Sequence, residues 1–563
     1  MKPIIYQVFT RLFGNQNANC KENGTLAQNG CGKMNDIDEK VLKRIRELGV
    51  THVWFTGVIR HASTTDYTRY GIPKQHAQVV KGKAGSPYAI TDYYDIDPDL
   101  AVDVEHRMEE WEALIERTHR AGMKVIMDFV PNHVAREYHS IAKPKGVRDL
   151  GETDDTTKHF SVQNNFYYCW GQPLDLSNIP LQPADTGEGD LFAASSSYEE
   201  KPAKATGNDR FSNRPDRNDW YETVKLNYGI DYCDAGGRSE HFNPIPDTWQ
   251  KMTDILLFWA KKGVDGFRCD MAEMVPAAFW HWATDKVKFV YPEIVFIGEV
   301  YNPAEYRNYL GAGFDWLYDK VGMYDCVRSI ICGGCRAGDI THQWQETDDI
   351  RQHMLYFLEN HDEQRIASDF FAADPYKAIP GLIVSALLLS NPFMLYAGQE
   401  FGEAGMDKEG FSGQDGRTTI FDYWSVSSIR RGYFNRRWLT EGEKQLEEIY
   451  RFVLKLANTE KAFREGDFFD LMYVNQHLAD KQYAFMRQAD NENILVIVNF
   501  AEEDVAVDLT IPQHAIDYFG IQAKEYDITD MFTNDVIHAP IMGENGIHVD
   551  IPAYGARFFK IIL

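Results

Sequence analysis

The stretch GVDGFRCDMAEM, residues 263–274, places an arginine and an aspartate two positions apart inside an apolar run. Val264 and Phe267 are typical core residues, whereas Arg268 and Asp270 carry opposite charges. Residues i and i+2 of a β-strand point to the same face, and Asp and Arg are rarely buried unless they are paired. The stretch therefore predicts a strand with a buried ion pair, which on its own is as consistent with a structural role as with a catalytic one.

Seven further apolar runs of similar length occur along the chain, and helix-like segments separate most of them. The eight runs are IIYQVF from Ile4, THVWFTGVI from Thr51, KVIMDFV from Lys124, VDGFRCDM from Val264, IVFIGEV from Ile294, GFDWLYDK from Gly313, MLYFLENHD from Met354 and PFMLYAGQE from Pro392. Two of the helical segments end on a glycine, at Gly49 and Gly122, as helices often do. Strands that alternate with helices form parallel β-α units. Eight such units predict an α/β fold, a closed (β/α)8 TIM barrel.

Two stretches break this alternation and predict additional domains. The stretch after the third strand is rich in Asp, Asn, Pro, Ser and Gly, has no clear period, and is too long for an ordinary loop. Short alternating runs near the C terminus predict an all-β sandwich. We therefore expect a catalytic barrel at residues 1–133 and 226–462, an inserted irregular domain (domain B) at 134–225, and a C-terminal β-sandwich domain at 463–563.

Composition indicates a globular protein and disfavours two classes of partner. The chain has 563 residues, 44% hydrophobic and 25% charged, with a net charge of −26. Such an acidic balance repels nucleic acid and anionic membranes, so we expect neither as a partner. No stretch approaches eighteen uninterrupted apolar residues, as a membrane span requires.

The cysteines and the N terminus favour a cytoplasmic protein. Eight cysteines are scattered through a large chain, as is typical of a reducing compartment. Cys332 and Cys335 form a lone CxxC, which we interpret as a turn with two incidental thiols rather than a zinc or redox site. The first residues contain only two adjacent isoleucines, too few for the apolar region of a signal peptide.

Charged and polar side chains cluster where the predicted strands end, and barrel enzymes hold their catalytic groups at those ends. They are Asp128, Asn132 and His133 at the third strand, Arg268 and Asp270 at the fourth, Glu299 at the fifth, and His361 and Asp362 at the seventh. Taken singly, each carboxylate could cap a helix and each histidine could be structural. Their convergence on one rim of the barrel instead predicts an active site.

The motifs that carry these residues resemble those of a known family. DFVPNH, GFRCDMAEM, IGEV and ENHDEQR resemble, in the same order and at the same strands, the four signature regions of the α-amylase superfamily, the family 13 glycoside hydrolases. SPYAITDYYDID resembles the tyrosine-bearing loop after the second strand of that family, and LYAGQEFG resembles the end of its eighth strand. The resemblance covers the whole chain. It implies a retaining hydrolase of α-glucosidic bonds in starch-derived glucans or maltooligosaccharides.

The resemblance also implies a role for each residue at the rim. Asp270 corresponds to the nucleophile, Glu299 to the general acid/base and Asp362 to the carboxylate that stabilises the transition state. Tyr88, His133, Arg268 and His361 correspond to residues around the sugar in the cleavage subsite, and Asp128 corresponds to a structural aspartate.

The chemistry of glycoside cleavage requires these residue types. Retention needs one ionised carboxylate to attack and one protonated carboxyl to release the leaving oxygen. A fixed cation beside Asp270 favours the carboxylate, so we expect Arg268 to lower the pKa of Asp270. Such chemistry requires no cofactor.

The sequence departs from the family pattern on the leaving-group side. Glu273 and Met274 stand where the family usually has Lys-His, and that histidine usually lends its carbonyl to a structural calcium. Asn132 corresponds to a calcium ligand of the family but could equally brace a loop, so both interpretations stay open. GQDGRTTIFDYW has Thr419 and Ile420 where enzymes acting on short oligosaccharides have Pro and Met. This weaker likeness favours a maltodextrin-trimming enzyme over a secreted endo-acting amylase.

Three other functions are compatible with part of the pattern. A transglycosylase or a trehalose-forming isomerase would use the same residues and differ in whether water or a sugar reaches the intermediate. A catalytically inactive binding or partner protein of the family would usually lack one of the three carboxylates, and all three are present here. A barrel metallohydrolase would carry His-x-His on its first strand, and IIYQVFTRLF contains no histidine.

Overall fold

Eight parallel strands close into a barrel, which confirms the predicted fold. The structure is a computed structural model that describes residues 1–179, 197–541 and 546–562. The barrel strands are β1 Ile4–Phe9, β2 His52–Thr56, β3 Lys124–Phe129, β4 Gly266–Cys269, β5 Val295–Gly298, β6 Trp316–Tyr318, β7 Met354–Phe357 and β8 Phe393–Tyr396. Each lies within one of the eight predicted runs. They follow one another around the barrel in chain order, and β8 pairs with β1.

Helices connect the barrel strands, and others follow in the C-terminal part of the chain. In the described part of the chain, the α-helices of five or more residues are α1 Glu39–Glu47, α2 Arg107–Arg120, α3 Asp247–Lys261, α4 Ala277–Val290, α5 Tyr306–Gly311, α6 Asp325–Ile331, α7 Ile340–Glu346, α8 Ile379–Leu387, α9 Glu441–Thr459, α10 Lys461–Glu465 and α11 Gln513–Phe519. The Asp38 side chain caps α1 by accepting the Val41 N–H. Shortly after α1, Gly49 has a φ of 104°, and a Cβ there would lie 2.9 Å from the backbone of Leu454. Only glycine fits this close approach between α1 and α9.

Inward-facing side chains fill the barrel below its rim. Ile126 on β3 and Ile297 on β5 belong to a buried interior cluster with Trp54 and Tyr318. Successive side chains of a strand alternate between its two faces. Asp128 and Glu299, two residues further along, therefore continue the inward face and emerge at the rim.

The stretch between β3 and β4 is irregular. Its strand His133–Ala135 pairs in antiparallel fashion with Thr223–Lys225, so the start and the end of the insertion lie side by side. The described portions, 134–179 and 197–225, contain turns and no α-helix. The predicted domain B also includes residues 180–196, which lie outside the described residues.

The C-terminal region is a β-sheet domain, as predicted. Its strands are β9 Asp467–Asp470, β10 Gln482–Ala489, β11 Glu492–Asn499, β12 Val505–Leu509, β13 Lys524–Asp530, β14 Val536–Ile541, β15 Ile547–Ile551 and β16 Ala556–Ile562. Six of them form one sheet in the order β9-β10-β11-β16-β13-β14, and β12 pairs with β15. The short helix α11 between β12 and β13 was not part of the prediction.

Among the described residues, none of the helices combines the length and the apolar character needed to cross a bilayer. All eight cysteines, including Cys332 and Cys335, are unpaired.

Candidate active site

Arg268 lies at the centre of a cluster of carboxylates at the C-terminal ends of the strands. Its Nη1 is 2.7 Å from Asp270 Oδ1 and 3.6 Å from Asp128 Oδ1. Its Nη2 is 2.9 Å from Glu299 Oε2 and 4.0 Å from Asp362 Oδ2. The side chain of Arg268 is fully buried. The pairing of residues i and i+2 predicted from the sequence is therefore present, but it forms part of a larger cluster of charges.

Aromatic side chains fix the orientation of this guanidinium. Its central carbon lies 5.2 Å from the ring centre of Trp54 and 5.6 Å from those of Tyr88 and Tyr318. Its Nε donates a hydrogen bond of 3.2 Å to Tyr318 Oη. Contacts between arginine and aromatic rings are favourable and gain strength when they are desolvated. The two terminal nitrogens are thereby held facing Asp270 and Glu299.

Glu299 is held by two hydrogen bonds and one ion pair. Its Oε2 accepts the Met271 N–H at 2.7 Å, its Oε1 accepts the Tyr301 hydroxyl, and Arg268 provides the third contact. Met271 is in the left-handed region, with φ 44° and ψ 43°. For a residue other than glycine, such a conformation costs about 1–3 kcal/mol and often occurs at functional sites. Met271 forms the sharp turn just after Asp270, and its own N–H donates to Glu299.

Four carboxyl groups surround one arginine in this site. Burial raises the pKa of Asp270 well above its usual range; Arg268 opposes this shift, and Glu299 and Asp362 add to it. Arg268 therefore lowers the pKa of Asp270 in the expected direction, but it does not bring that pKa down to the usual range. The reason is that burial and neighbouring carboxylates together outweigh the single cation. Burial likewise raises the pKa of Asp128 to about 7, against the attraction of Arg268.

Asp362→Asn is expected to raise the melting temperature (Tm) of the unliganded protein by about 1–2 °C at pH 8. Burial and then Glu299 raise the pKa of Asp362 to about 7. Because that value lies above the unfolded one near 3.8, the folded state loses stability as pH rises from about 4 to 7. Asparagine does not ionise and avoids this loss. The effect is small because 40% of the Asp362 side chain is exposed and solvent screens its charge.

Calorimetry of wild type and variant at pH 5 and pH 8 measures this effect. The Tm difference should grow with pH, whereas Asp285→Asn on the exposed face of α4 should give none. An Asp362→Asn protein that melts below wild type at pH 8 would contradict the electrostatic account.

Neutral histidines flank the carboxylates. His361 Nε2 lies 3.1 Å from Asp362 Oδ2 and 2.5 Å from the Tyr88 hydroxyl, and its Nδ1 is 2.8 Å from the Gln7 side-chain amide. Burial and then Arg268 lower the pKa of His361 well below its usual range. Burial, with Lys225 adding to it, lowers the pKa of His133 to about 3. Both imidazoles therefore stay neutral near pH 7.

A cavity of about 240 Å³ opens above this cluster. Among its lining residues are Tyr88, His133, Asp270, Glu299 and Asp362, together with Lys81, Trp220, Glu222, Tyr301 and Phe421. Trp220 and Glu222 come from the insertion, and the Lys81 ammonium pairs with the Glu222 carboxylate at 2.9 Å. Asp128, Asn132, Arg268 and His361 are not among the lining residues. Asp128 and Arg268 lie beneath the cavity, with the Asp128 Oδ2 accepting the Gly57 N–H at 3.2 Å.

Both ends of the Asn132 side-chain amide are hydrogen-bonded to other residues. Its Oδ1 accepts a hydrogen bond from the Lys225 ammonium, and its Nδ2 donates to the Gly207 carbonyl at 2.8 Å. Among residues 1–179, 197–541 and 546–562, no group of three or more His, Cys, Asp or Glu side chains is arranged to hold a metal ion.

Glu273 stands where the family usually has a lysine. Its side chain holds the loop that follows β5. Its Oε2 accepts the N–H groups of Tyr301 at 3.0 Å and Asn302 at 3.1 Å. This carboxylate thus orders the segment that carries the Tyr301 hydroxyl to Glu299. In this structure, it acts on the site through the backbone of Tyr301.

Several residues of the site were missed in the sequence. Tyr301 follows Glu299 at the i+2 spacing that links Arg268 to Asp270, so the same rule would have found it. Gln7 and Trp220 have no comparable signal. Gln7, on β1, reaches His361, which follows β7 two strands away in the barrel. Trp220 belongs to an insertion without a regular period.

A (β/α)8 barrel with paired carboxylates below a small cavity with aromatic walls is the architecture of a glycoside hydrolase. Residues 7–434 match the family described as "Alpha amylase, catalytic domain", and residues 474–558 match "Maltogenic Amylase, C-terminal domain". The chain belongs to the α-amylase family and is a glycoside hydrolase of α-glucosidic bonds.

Individual relatives are distant in sequence. Neopullulanase 2 of Thermoactinomyces vulgaris is 22% identical over 91% of this chain and 71% of its own length. Alpha-amylase 3 of Dictyoglomus thermophilum is 22% identical over 88% of this chain and 84% of its own length. The structure of an α-amylase from Geobacillus thermoleovorans superposes with a TM-score of 0.65 at 18% identity, covering 100% of this chain and 98% of that one. At this identity, the superposition bears on the fold alone.

Proposed function

We propose that the protein cleaves α-glucosidic bonds of maltooligosaccharides by double displacement with retention of configuration. Asp270 attacks the anomeric carbon, Glu299 protonates the leaving oxygen, and Asp362 binds the sugar as positive charge develops on its ring. The observation that carries the proposal is that Asp270 and Glu299 both contact the guanidinium of Arg268, each through a different terminal nitrogen.

This arrangement favours direct attack over attack by an interposed water. Strands β4 and β5 are neighbours in the barrel, and neighbouring strands are about 4.8 Å apart. Retaining enzymes need about 5–5.5 Å between the two carboxyl groups, whereas inverting enzymes need about 6.5–9.5 Å to fit a water. Two carboxylates that lie side by side on one arginine suit the shorter separation.

The two hydrogen bonds and the ion pair around Glu299 support its role as the acid. When Glu299 releases its proton to the leaving oxygen, a carboxylate forms beside Arg268, the Met271 N–H and the Tyr301 hydroxyl. Fixed donors that face a developing charge stabilise the transition state. In the second step, the same carboxylate accepts a proton from water, which then attacks the glycosyl-Asp270 ester and releases the sugar.

The neutral side chains of the site would bind the sugar itself. The imidazoles of His133 and His361 can hydrogen-bond to sugar hydroxyls without adding charge. The ring of Tyr88 presents an apolar surface for the sugar face. Asp362 is partly exposed at the cavity and is free to accept hydrogen bonds from hydroxyl groups.

The size of the cavity favours short substrates or chain ends. Its volume of about 240 Å³ falls below the roughly 300–1,000 Å³ of typical ligand clefts. Trp220, Glu222 and Phe421 form part of its wall. A cyclomaltodextrinase of Bacillus sp is 22% identical to this chain over 520 residues, and its name supports a maltodextrin-type substrate.

The first-formed anomer of the product tests the mechanism. We expect proton NMR to detect the α-anomer of the released sugar before mutarotation, because two inversions at the same carbon restore the configuration. A β-anomer appearing first would overturn both the mechanism and the role of Asp270. Reducing ends should rise during the reaction on maltotriose; constant reducing ends would instead indicate transfer to another sugar.

Tyr301→Phe is expected to lower kcat/KM by about tenfold. The change removes one hydrogen bond to the Glu299 carboxylate, and hydrogen bonds to charged groups contribute about 1.5–3 kcal/mol. Tyr376→Phe is the matched control, since its hydroxyl bonds to the Gly442 carbonyl far from the site. Equal kcat/KM values for the two variants would exclude a role for Tyr301 in catalysis.

We also propose the domain boundaries inferred from the sequence, with residues 134–225 as a domain B that supplies one wall of the cavity. Trp220, Glu222 and Thr223 are its contribution to the lining. A reducing compartment such as the cytoplasm is part of this proposal, because all eight cysteines are unpaired.

A further inference from the structure

A buried lysine stands among oxygen atoms beside the active site. The Lys225 side chain is 2% exposed. Its ammonium donates to Asn132 Oδ1 and, at 3.3 Å, to the Met274 carbonyl, and it lies 2.7 Å from Asp209 Oδ1. The ring centre of Tyr232 is 5.8 Å from the same nitrogen. An amide oxygen, a carboxylate and a backbone carbonyl thus surround one cation.

These oxygen types are the ones that calcium prefers, but the site does not fit calcium with Lys225 in place. Calcium takes six to eight oxygen ligands at about 2.3–2.6 Å. An ammonium group has three N–H donors and no acceptor, and three oxygens surround it here. The nitrogen occupies the space at which those oxygens converge. The structural calcium that Asn132 suggested in the sequence therefore has no room among these residues.

The lysine connects three segments that are distant in the chain. Asn132 follows β3, Asp209 and Lys225 belong to the insertion, and Met274 lies four residues after Asp270. Lys225 also lies opposite His133 in the short antiparallel pair that closes the insertion. Without a cation, the Asp209 carboxylate and two further oxygens would face one another with no donor between them.

We infer that the Lys225 ammonium is the structural cation of this site and stands in the place of a metal ion, tying the insertion to the loop that follows Asp270. Burial lowers the pKa of Lys225, and the Asp209 carboxylate opposes that shift. Breaking a buried charge pair by removing one partner is strongly destabilising, because the other charge remains buried and uncompensated.

The first test is made on the unmodified protein. We expect its Tm to agree within about 1 °C in excess EGTA and in about 5 mM calcium chloride, because a ligand stabilises only when it binds the native state. Metal analysis of the purified protein by mass spectrometry should find no stoichiometric calcium. A protein that carries one calcium per chain and loses Tm when EGTA removes it would overturn the inference.

The second test replaces the cation. Lys225→Met keeps the length and the apolar stem, and we expect it to lower Tm by about 3–5 °C both with and without calcium. Lys158→Met is the control, because that lysine is 62% exposed and belongs to the same insertion. Equal Tm values for the two variants would refute the role of Lys225. If Lys225→Met does not yield folded protein, the EGTA and metal measurements on the unmodified chain decide the question.

Discussion

Asp270→Asn is expected to lower kcat on maltooligosaccharides by about 10⁴-fold or more, with a much smaller effect on KM. An amide oxygen is a poor nucleophile, so the covalent step of the double displacement that we propose would be lost. Removing a nucleophile from a catalytic cluster typically costs several orders of magnitude in kcat. Asn is close to Asp in size and can still contact Arg268, so the fold should be retained.

Two measurements distinguish loss of the nucleophile from general damage. Asp285→Asn, on the exposed face of α4, should keep wild-type kcat. In the wild-type protein, a fluorinated glucosyl fluoride that slows the second step should add one glycosyl group to the peptide that contains Asp270. A label on the peptide of Glu299 instead would reverse the two roles that we propose.

Arg268→Ala is expected to lower kcat/KM by about 10³-fold and to lower Tm as well. The guanidinium is within 4.0 Å of all four rim carboxylates, Asp128, Asp270, Glu299 and Asp362. Without it, the buried carboxyl groups protonate or repel one another, and Asp270 loses the cation that favours its carboxylate form. Breaking a buried pair by removing one partner costs about 3–5 kcal/mol.

The pH dependence of this loss identifies its cause. The fall in Tm should be larger at pH 8 than at pH 5, because at pH 5 the carboxyls can be protonated and need no cation. Arg268→Lys should also be a poor enzyme, since an ammonium lacks the planar fork that contacts two carboxylates. Arg307→Ala, on the exposed surface of α5, is the control. A Tm loss that is independent of pH would point to lost packing against Trp54 and Tyr318.

The barrel and its rim were predictable because their signals are local. Each strand is a short apolar run, and the residues that follow it change to polar types at the C-terminal end. The i, i+2 rule alone placed Arg268 beside Asp270, and the structure has them 2.7 Å apart. Parallel strands bring their carboxyl-terminal ends to one face, so Glu299 and Asp362 could be assigned to the same rim without any knowledge of distances.

The charge state of that rim could not be predicted in the same way. Considered as a pair, Arg268 and Asp270 indicate a lowered pKa for the aspartate. The pKa of Asp270 is instead raised, because burial and the neighbouring Glu299 and Asp362 contribute more than the one cation. The burial of Asp270 and the number of carboxylates near it depend on how many side chains converge at one depth of the barrel. That number is a property of the assembled structure.

The sequence by itself determined the barrel, the C-terminal β domain and the order of the rim residues along the chain. Apolar periodicity and the polar residues at strand ends can be recognised from neighbouring positions in the sequence. Only the tertiary structure decided which cation contacts Asn132. Lys225 is 93 residues away along the chain, at the end of an insertion without a regular period. The two meet because the last strand of the insertion folds back antiparallel to its first, and no local pattern encodes that return.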